Sequence, residues 1–258
     1  FGEGKVYLYS NEGNLNFTKS ILLDVTGVQK VIVEDVNNDG YFDLLYTRPA
    51  SNNGQIYAYI NNGNGNFTSQ FLATIEDWLV VIAYLDVNND GYKDLITDKP
   101  NADTTFYFQN DGNLNFTKIA LPARANFFDI DGDNDLDFIS SRFDYTESKN
   151  FFSWYENNGS GNFTEHVIFT HNTNSGDEIT VQDFDGDGDI DFVSVPRNEY
   201  ASQGISFWEN NGNQVFTKST VNNDYKITSH LLNDDYDNDG DIDVLSSSTK
   251  FPFTIWKN

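Results

Sequence analysis

An all-β fold, a β-propeller of four-stranded antiparallel blades, is predicted by three observations. An acidic nonapeptide recurs five times at a spacing close to fifty residues. A second motif, built on Asn, Gly and Phe, recurs in register with it. The segments around both are short and rich in Val, Ile, Leu and aromatic residues, bounded by Asn, Asp and Gly, as strands are.

The nonapeptide reads DVNNDGYFD at 35–43, DVNNDGYKD at 86–94, DIDGDNDLD at 129–137, DFDGDGDID at 183–191 and DYDNDGDID at 235–243, so the common form is D-x-[DN]-x-D-[GN]-x-x-D. The second motif is an aromatic residue followed by x-N-x-G-x-x-x-F-T, with copies starting at Tyr9, Tyr59, Phe108, Tyr155 and Trp208 and a sixth beginning at Trp256. Segments such as KVIVED and EITVQDF precede the acidic loops and predict a first strand; DLLYT and DFVSV follow them and predict a second. GQIYAYIN and GISFWEN predict a third strand, and FTKSILL a fourth. The N-x-G between third and fourth suits a hairpin turn that needs positive φ. Approximate repeats fall at 25–74, 75–121, 122–172 and 173–221, flanked by partial ones at 1–24 and 222–258, all within one propeller domain spanning 1–258. The chain starts and ends on the third strand, so either five blades close with a strand to spare or the chain is part of a larger, for example seven-bladed, ring; the second reading is preferred. The recurring aromatics are expected to pack between blades.

The acidic loops have the chemistry of cation sites. Hard divalent ions require several oxygen ligands, and calcium takes six to eight. Carboxylates and amides at loop positions 1, 3, 5 and 9 supply side-chain oxygens, and position 7 can add a backbone carbonyl. The expected ligands are Asp35, Asn37, Asp39, Tyr41 and Asp43; Asp86, Asn88, Asp90, Tyr92 and Asp94; Asp129, Asp131, Asp133, Asp135 and Asp137; Asp183, Asp185, Asp187, Asp189 and Asp191; and Asp235, Asp237, Asp239, Asp241 and Asp243. Up to five calcium ions follow. Position 6 is Gly in four loops and Asn134 in the third, where Asn tolerates the left-handed conformation better than other side chains. An EF-hand is excluded, because its loop ends on Glu at position 12, and here that position is Tyr46, Thr97, Ser140, Ser194 or Ser246. Magnesium fits less well, since it retains its waters and avoids all-protein cages. A turn that holds no ion is the plain alternative, but like charges at this density repel without a counter-ion.

These loops and the W/Y-x-N-x-G-x-G-x-F segments together resemble the FG-GAP/VCBS repeats of integrin-α-like β-propellers. DFDGDGDIDFVSV and ISFWENNGNQVF are similar to repeats of surface and secreted proteins of the Bacteroidetes. The resemblance covers the whole chain. It implies a propeller with calcium in the loops between first and second strands, and it implies no single activity: members serve in adhesion, as lectins, and beside or within polysaccharide-degrading enzymes.

Composition narrows the partners. The chain of 258 residues carries a formal net charge of -25 and 16% aromatic residues. That charge disfavours nucleic acid and anionic membranes, and the aromatic content argues against disorder. No apolar run reaches the roughly 18 residues of a membrane span. With no Cys there is neither a disulfide framework nor thiolate chemistry. With no Met and Phe1 at its start, the chain reads as a processed or excised piece.

Function is expected on the loops opposite the acidic ones, because variable loops on a rigid scaffold are where binding usually resides. Just past each second strand stands a cation: Arg48, Lys99, Arg142, Arg197 and Lys250. They suggest a positive rim for an extracellular protein or an anionic glycan, or else local offset of nearby acids such as Asp144. The leading reading is a non-enzymatic, calcium-stabilised recognition or adhesion module at a bacterial cell surface or secreted from it, where millimolar calcium saturates weak sites. A carbohydrate-binding domain of a degradative enzyme comes second. A propeller lyase comes third, because His166, His171 and His230 form no recognisable catalytic motif.

Overall fold

A computed structural model describes residues 4–28, 30–50, 53–76, 80–98, 105–122, 125–172, 177–196, 204–222, 230–247 and 254–256. Every regular element among them is a β-strand, and every strand pairing is antiparallel. The chain groups into two compact units, Phe1–Asp86 with Gly91–Leu121, and Val87–Asp90 with Pro122–Asn258.

The first unit holds a hairpin, β1 (Lys5–Gly13) with β2 (Asn16–Asp24), and two four-stranded sheets. One sheet contains β3 (Lys30–Glu34), β4 (Asp43–Ala50), β5 (Asn53–Asn61) and β6 (Phe67–Glu76). The other contains β7 (Val80–Leu85), β8 (Asp94–Asp98), β9 (Phe106–Asn110) and β10 (Phe116–Ala120). In each sheet the strands neighbour one another in chain order, so the unit is an up-and-down meander. The core comes from alternate residues of these strands, among them Leu45, Ile56, Ala58, Ile75, Leu95 and Phe108. Val36, the second residue of its acidic loop, is buried with them and roots that loop in the core.

The second unit repeats the plan. Its sheets are β11 (Asn126–Phe128) to β12 (Asp137–Asp144), β13 (Lys149–Asn157) and β14 (Phe163–His171); then β15 (Asp177–Gln182), β16 (Asp191–Pro196), β17 (Ile205–Asn210) and β18 (Phe216–Asn222); then the three-stranded β19 (His230–Asp234), β20 (Asp243–Ser247) and β21 (Thr254–Trp256). Aromatic rings join the first two of these sheets. Phe152 stacks on Phe192 with centroids 4.9 Å apart, and Phe169 stacks on Trp208 at 4.0 Å. Phe152 and Phe192 are fully buried, and each such ring stabilises the fold by roughly 1.5–3 kcal/mol through burial alone.

The register ties the two sequence motifs together. The residue following the last loop aspartate pairs across the sheet with the aromatic that opens the second motif: Leu44 with Tyr59, Leu95 with Phe108, Phe138 with Tyr155, Phe192 with Trp208 and Val244 with Trp256. One cross-strand contact is thereby reproduced in five sheets. Side-chain pairs of this kind are the unit of sheet stabilisation.

Candidate metal centre

Each acidic loop bridges the first two strands of its sheet, and its ninth residue begins the second. That residue, Asp43, Asp94, Asp137, Asp191 or Asp243, is at most 1% exposed. A carboxylate buried so deeply must be hydrogen-bonded. Asp191 Oδ2 accepts from the Phe184 N–H at 3.1 Å, and Oδ1 from the Asn210 N–H at 2.8 Å. Asp137 accepts likewise from Ile130 at 3.0 Å and Asn157 at 2.7 Å. Asp43 accepts from Val36 at 2.9 Å and Asn61 at 2.7 Å. Asp94 takes the Asn110 N–H at 2.8 Å, and Asp243 the Tyr236 N–H at 3.1 Å.

The Asn of the N-x-G motif answers this aspartate. Its Nδ2 donates to the loop's eighth carbonyl: Asn61 to Phe42 at 3.2 Å, Asn110 to Lys93 at 3.1 Å, Asn157 to Leu136 at 3.1 Å and Asn210 to Ile190 at 3.3 Å. Its Oδ1 accepts from the turn: Gly63, Gly112 and Gly212 donate to Asn61, Asn110 and Asn210 at 3.0, 3.1 and 3.2 Å. Only a side chain with both a donor and an acceptor serves here, so Asp cannot replace it. Sequence reasoning took this Asn for turn chemistry alone. Its recurrence in register with the ninth aspartate was the available signal for the link.

The remaining loop carboxylates fold inward on the loop's own N–H groups. Asp183 accepts from Gly186 at 2.8 Å and Gly188 at 3.1 Å, Asp185 from Asp187 at 3.2 Å and Asp187 from Asp189 at 2.9 Å. Asp35 accepts from Asp39 at 3.1 Å and Gly40 at 2.8 Å, and Asp235 from Asp239 at 3.2 Å and Gly240 at 3.1 Å. The winding needs two left-handed residues per loop. Position 6 is one of them, with φ from 72° at Asn134 to 101° at Gly240, so the third loop keeps the backbone of the others. Position 4 is the second, at Asn38, Asn89, Gly132, Gly186 and Asn238. Only Asn and Gly occur there, as the left-handed region requires.

Position 7 was expected to contribute a carbonyl and so to have a free side chain. In the first four loops that side chain covers the hairpin glycine. A Cβ on Gly63 or Gly112 would lie 2.5 Å from the ring of Tyr41 or Tyr92. One on Gly159 or Gly212 would lie 2.5 or 2.6 Å from Asp135 or Asp189 Oδ2. These glycines therefore answer to close approach as well as to positive φ.

Three loops gather carboxylates tightly enough to hold a metal ion: Asp129, Asp131 and Asp137; Asp183, Asp185 and Asp191; and Asp235, Asp237 and Asp239, each set offering oxygens within 4.8 Å of one another. In the first two loops position 3 is an amide, and Asn37 and Asn88 donate Nδ2 to Asp39 and Asp90 at 3.0 and 2.8 Å. The donor set is oxygen throughout, which suits a hard cation. Two further observations fit one. Asn88 Oδ1 is buried without a hydrogen-bond partner. Burial, with Asp131 and Asp133 close by, pushes Asp137 up to about 7; burial, with Asp185 and Asp187, pushes Asp191 up to about 6. Asp43, Asp131 and Asp185 are raised for the same reasons. The backbone donors pull the other way and do not overcome burial. Burial above all, with neighbouring carboxylates, lets Asp137 and Asp191 hold protons toward neutrality unless another cation takes their place.

Of the expected rim cations, Lys99, Arg197 and Lys250 lie outside the described residues. Arg48 sits over the Tyr57 ring at 5.0 Å. Arg142 is engaged within its own sheet: its guanidinium is 3.4 Å from Asp144 and 3.2 Å from Glu165, and it covers the Phe151 ring at 4.7 Å. Glu165 also accepts from Ser153 Oγ at 2.9 Å and from the Tyr155 hydroxyl at 3.0 Å. Asp144 in turn accepts from the Thr146 and Glu147 N–H groups at 2.8 and 3.1 Å, so Arg142 steadies the β12–β13 turn. His171 Nε2 is buried 3.5 Å from Asp177 and 3.1 Å from the Asn150 amide, while the His230 side chain lies outside the described residues.

Fold and loops together define an all-β repeat protein with acidic, metal-type turns between the first and second strands of its sheets. FG-GAP-like repeats match residues 35–97, 129–194 and 183–246, more than half of the chain, and the chain belongs to that family. Such repeats imply a propeller-like arrangement, of which these sheets are the blades, and they are typical of extracellular proteins. No curated protein matches the sequence. Among solved structures, the Bacillus licheniformis rhamnogalacturonan lyase PL11 is similar at 14% identity and a TM-score of 0.45, over 90% of this chain and 56% of that one. The chain thus spans little more than half the length of that structure.

Proposed function

We propose that the chain is a calcium-stabilised recognition module that works outside the cell, at the surface or secreted. The supporting observation is the loop itself: an oxygen-rich winding repeats five times, three copies bring carboxylates within 4.8 Å of one another, and burial first, with neighbouring carboxylates, raises Asp137 and Asp191. Positions 1, 3, 5 and 9 of each loop would hold the ion, with the carbonyl of position 7, and up to five ions would bind. The ion would supply fixed positive charge that locks first and second strands together. Extracellular calcium is plentiful enough to fill weak sites of this kind.

The ligand, a protein or a glycan, would meet the loops at the opposite edge of the sheets. Arg48, Lys99, Arg197 and Lys250 are the cations proposed for contact with an anionic partner. Arg142, also proposed for that face, would act by fixing the β12–β13 turn. An array of extracellular proteins and of neutral and anionic glycans, probed with calcium and again with EDTA, tests this reading. Retention that requires calcium and leaves the glycan intact supports it. Turnover of a retained polysaccharide by the chain alone sinks it.

A further inference from the structure

The blade of β11–β14 carries a group of side chains that no other copy of the repeat carries. Trp154 and Glu156 on β13 share a sheet face with His166 on β14. Indole and imidazole stack with centroids 4.6 Å apart and planes 18° from parallel, and His166 Nε2 lies 2.7 Å from Glu156 Oε2. The side chains of His166 and Glu156 are 41% and 44% exposed, so the pair is reachable from solvent. The same strand positions hold Ala58, Ile60 and Gln70 in one blade, Tyr107, Gln109 and Ile119 in the next, and Phe207, Glu209 and Ser219 in another. Residues that a repeat fold needs recur with the repeat. Trp154 belongs to the core, as the apolar residues at its position in the other blades do, but the exposed His166–Glu156 pair does not recur, and the fold does not account for it.

The three line a cleft of about 530 Å³ inside the second unit, together with Asp131 of the third acidic loop and Gln214 and Phe216 of the β17–β18 turn. That turn also departs from its counterparts. Gln214, at φ 55°, stands where the other complete blades have Gly65, Leu114 and Gly161. Its neighbour Val215 replaces an Asn found at 66, 115 and 162. Both walls of the cleft are therefore special to this place in the chain.

We propose that this cleft binds a neutral saccharide of one or two sugar units. Its volume lies in the range of small-ligand pockets. Aromatic and aliphatic walls suit the apolar face of a pyranose ring. Glu156 offers an acceptor for sugar hydroxyls, while His166 and the Gln214 amide offer donors that a simple cation would leave unmatched; Asp131, whose oxygens belong to the loop's own ion site, only borders the cleft. The Glu156 carboxylate, on a chain of net charge -25, disfavours uronates and sulfated sugars. The site is separate from the variable loops assigned above to a partner, since its acidic loop and hairpin turn lie at the metal-loop edge of the sheets. It stands or falls independently of that assignment.

Saturation-transfer NMR and tryptophan fluorescence on the intact chain test it, with cellobiose, lactose and mannobiose as probes and digalacturonate as the anionic comparison. Saturable binding of at least one neutral disaccharide is expected. Glu156→Ala and Gln214→Ala, each checked for an unchanged melting temperature, should each weaken it about tenfold or more. The proposal is overturned if none of the three neutral disaccharides binds, if digalacturonate binds more tightly than all of them, or if both variants bind as the parent does.

Discussion

Asn210 and Asp191 are joined through both backbone and side chain, although 19 residues separate them: the Asn210 N–H donates to Asp191 Oδ1 at 2.8 Å, and Asn210 Nδ2 donates to the carbonyl of Ile190 beside it at 3.3 Å. The same two-point connection recurs at Asn61 with Asp43, Asn110 with Asp94 and Asn157 with Asp137. It makes the ninth loop aspartate a fold residue first, whatever else it binds. Asp191→Ala leaves two buried N–H groups, those of Phe184 and Asn210, without an acceptor. It should destabilise by about 2–5 kcal/mol even in the presence of chelator. Asp187→Ala, at an exposed position of the same loop, should change stability in chelator by no more than about 1 kcal/mol and act chiefly through calcium. Urea unfolding of both variants, with EDTA and with calcium, separates the two roles.

Calcium itself should raise the melting temperature by mass action, since the loops exist only in the folded state. A site held at one hundred times its dissociation constant contributes about 2.7 kcal/mol. Differential scanning calorimetry across a calcium titration measures this, and an EDTA-treated protein whose melting temperature ignores added calcium would rule the ion out.

The glycines of the hairpin turn and of the acidic loop should respond differently to substitution. Both Gly212 and Gly188 have positive φ, 77° and 97°. A Cβ on Gly212 would also meet Asp189 Oδ2 at 2.6 Å, whereas nothing lies within 4 Å of one on Gly188. Gly188→Ala should therefore cost about 1–2 kcal/mol from backbone strain alone. Gly212→Ala should cost more and should weaken calcium binding as well, because Asp189 must move. Gly188→Asn should be the mildest, as Asn134 already occupies the equivalent place with φ 72°. Thermal melts and calcium titrations of the three variants check the order.

The strands, the loops and their fivefold recurrence were legible in the sequence because each copy meets the same backbone demands and shows the same residues. The left-handed fourth position, held by Asn38, Asn89, Gly132, Gly186 and Asn238, passed as a variable one, because two residue types alternating there conceal a single constraint. The bond between Asp191 and the Asn210 N–H was not legible, because a backbone donor has no sequence signature. Arg142 read as a rim cation because its partner Glu165 comes from another strand, 23 residues on. Trp154 and Glu156 escaped notice, and His166 read as one of three lone histidines, because a cleft lined also by the β17–β18 turn depends on packing between blades, which strand periodicity does not report.

The pH dependence of stability should reverse sign with calcium. In the metal-free protein Asp137 and Asp191 are raised to about 7 and about 6, and Asp43 is raised too, so the folded state binds protons more tightly than the unfolded chain. A raised carboxylate adds a cost to folding that is absent below its ordinary value near 3.8, grows as pH climbs from there and is complete above the shifted value. Asp111 and Asp144 are lowered, by hydrogen bonds from the Asn115 side chain and the Glu147 backbone, and their stabilisation fades only below that ordinary value. Between pH 7 and roughly 5 the raised group therefore governs, and the melting temperature in EDTA should rise as the solution is acidified. With calcium the carboxylates must be ionised to act as ligands, so protons compete with the ion and the melting temperature should fall over the same interval. Two melting series across this window, one in EDTA and one in saturating calcium, should cross or converge toward the acid end. Parallel curves would mean that the loop carboxylates titrate independently of any bound ion.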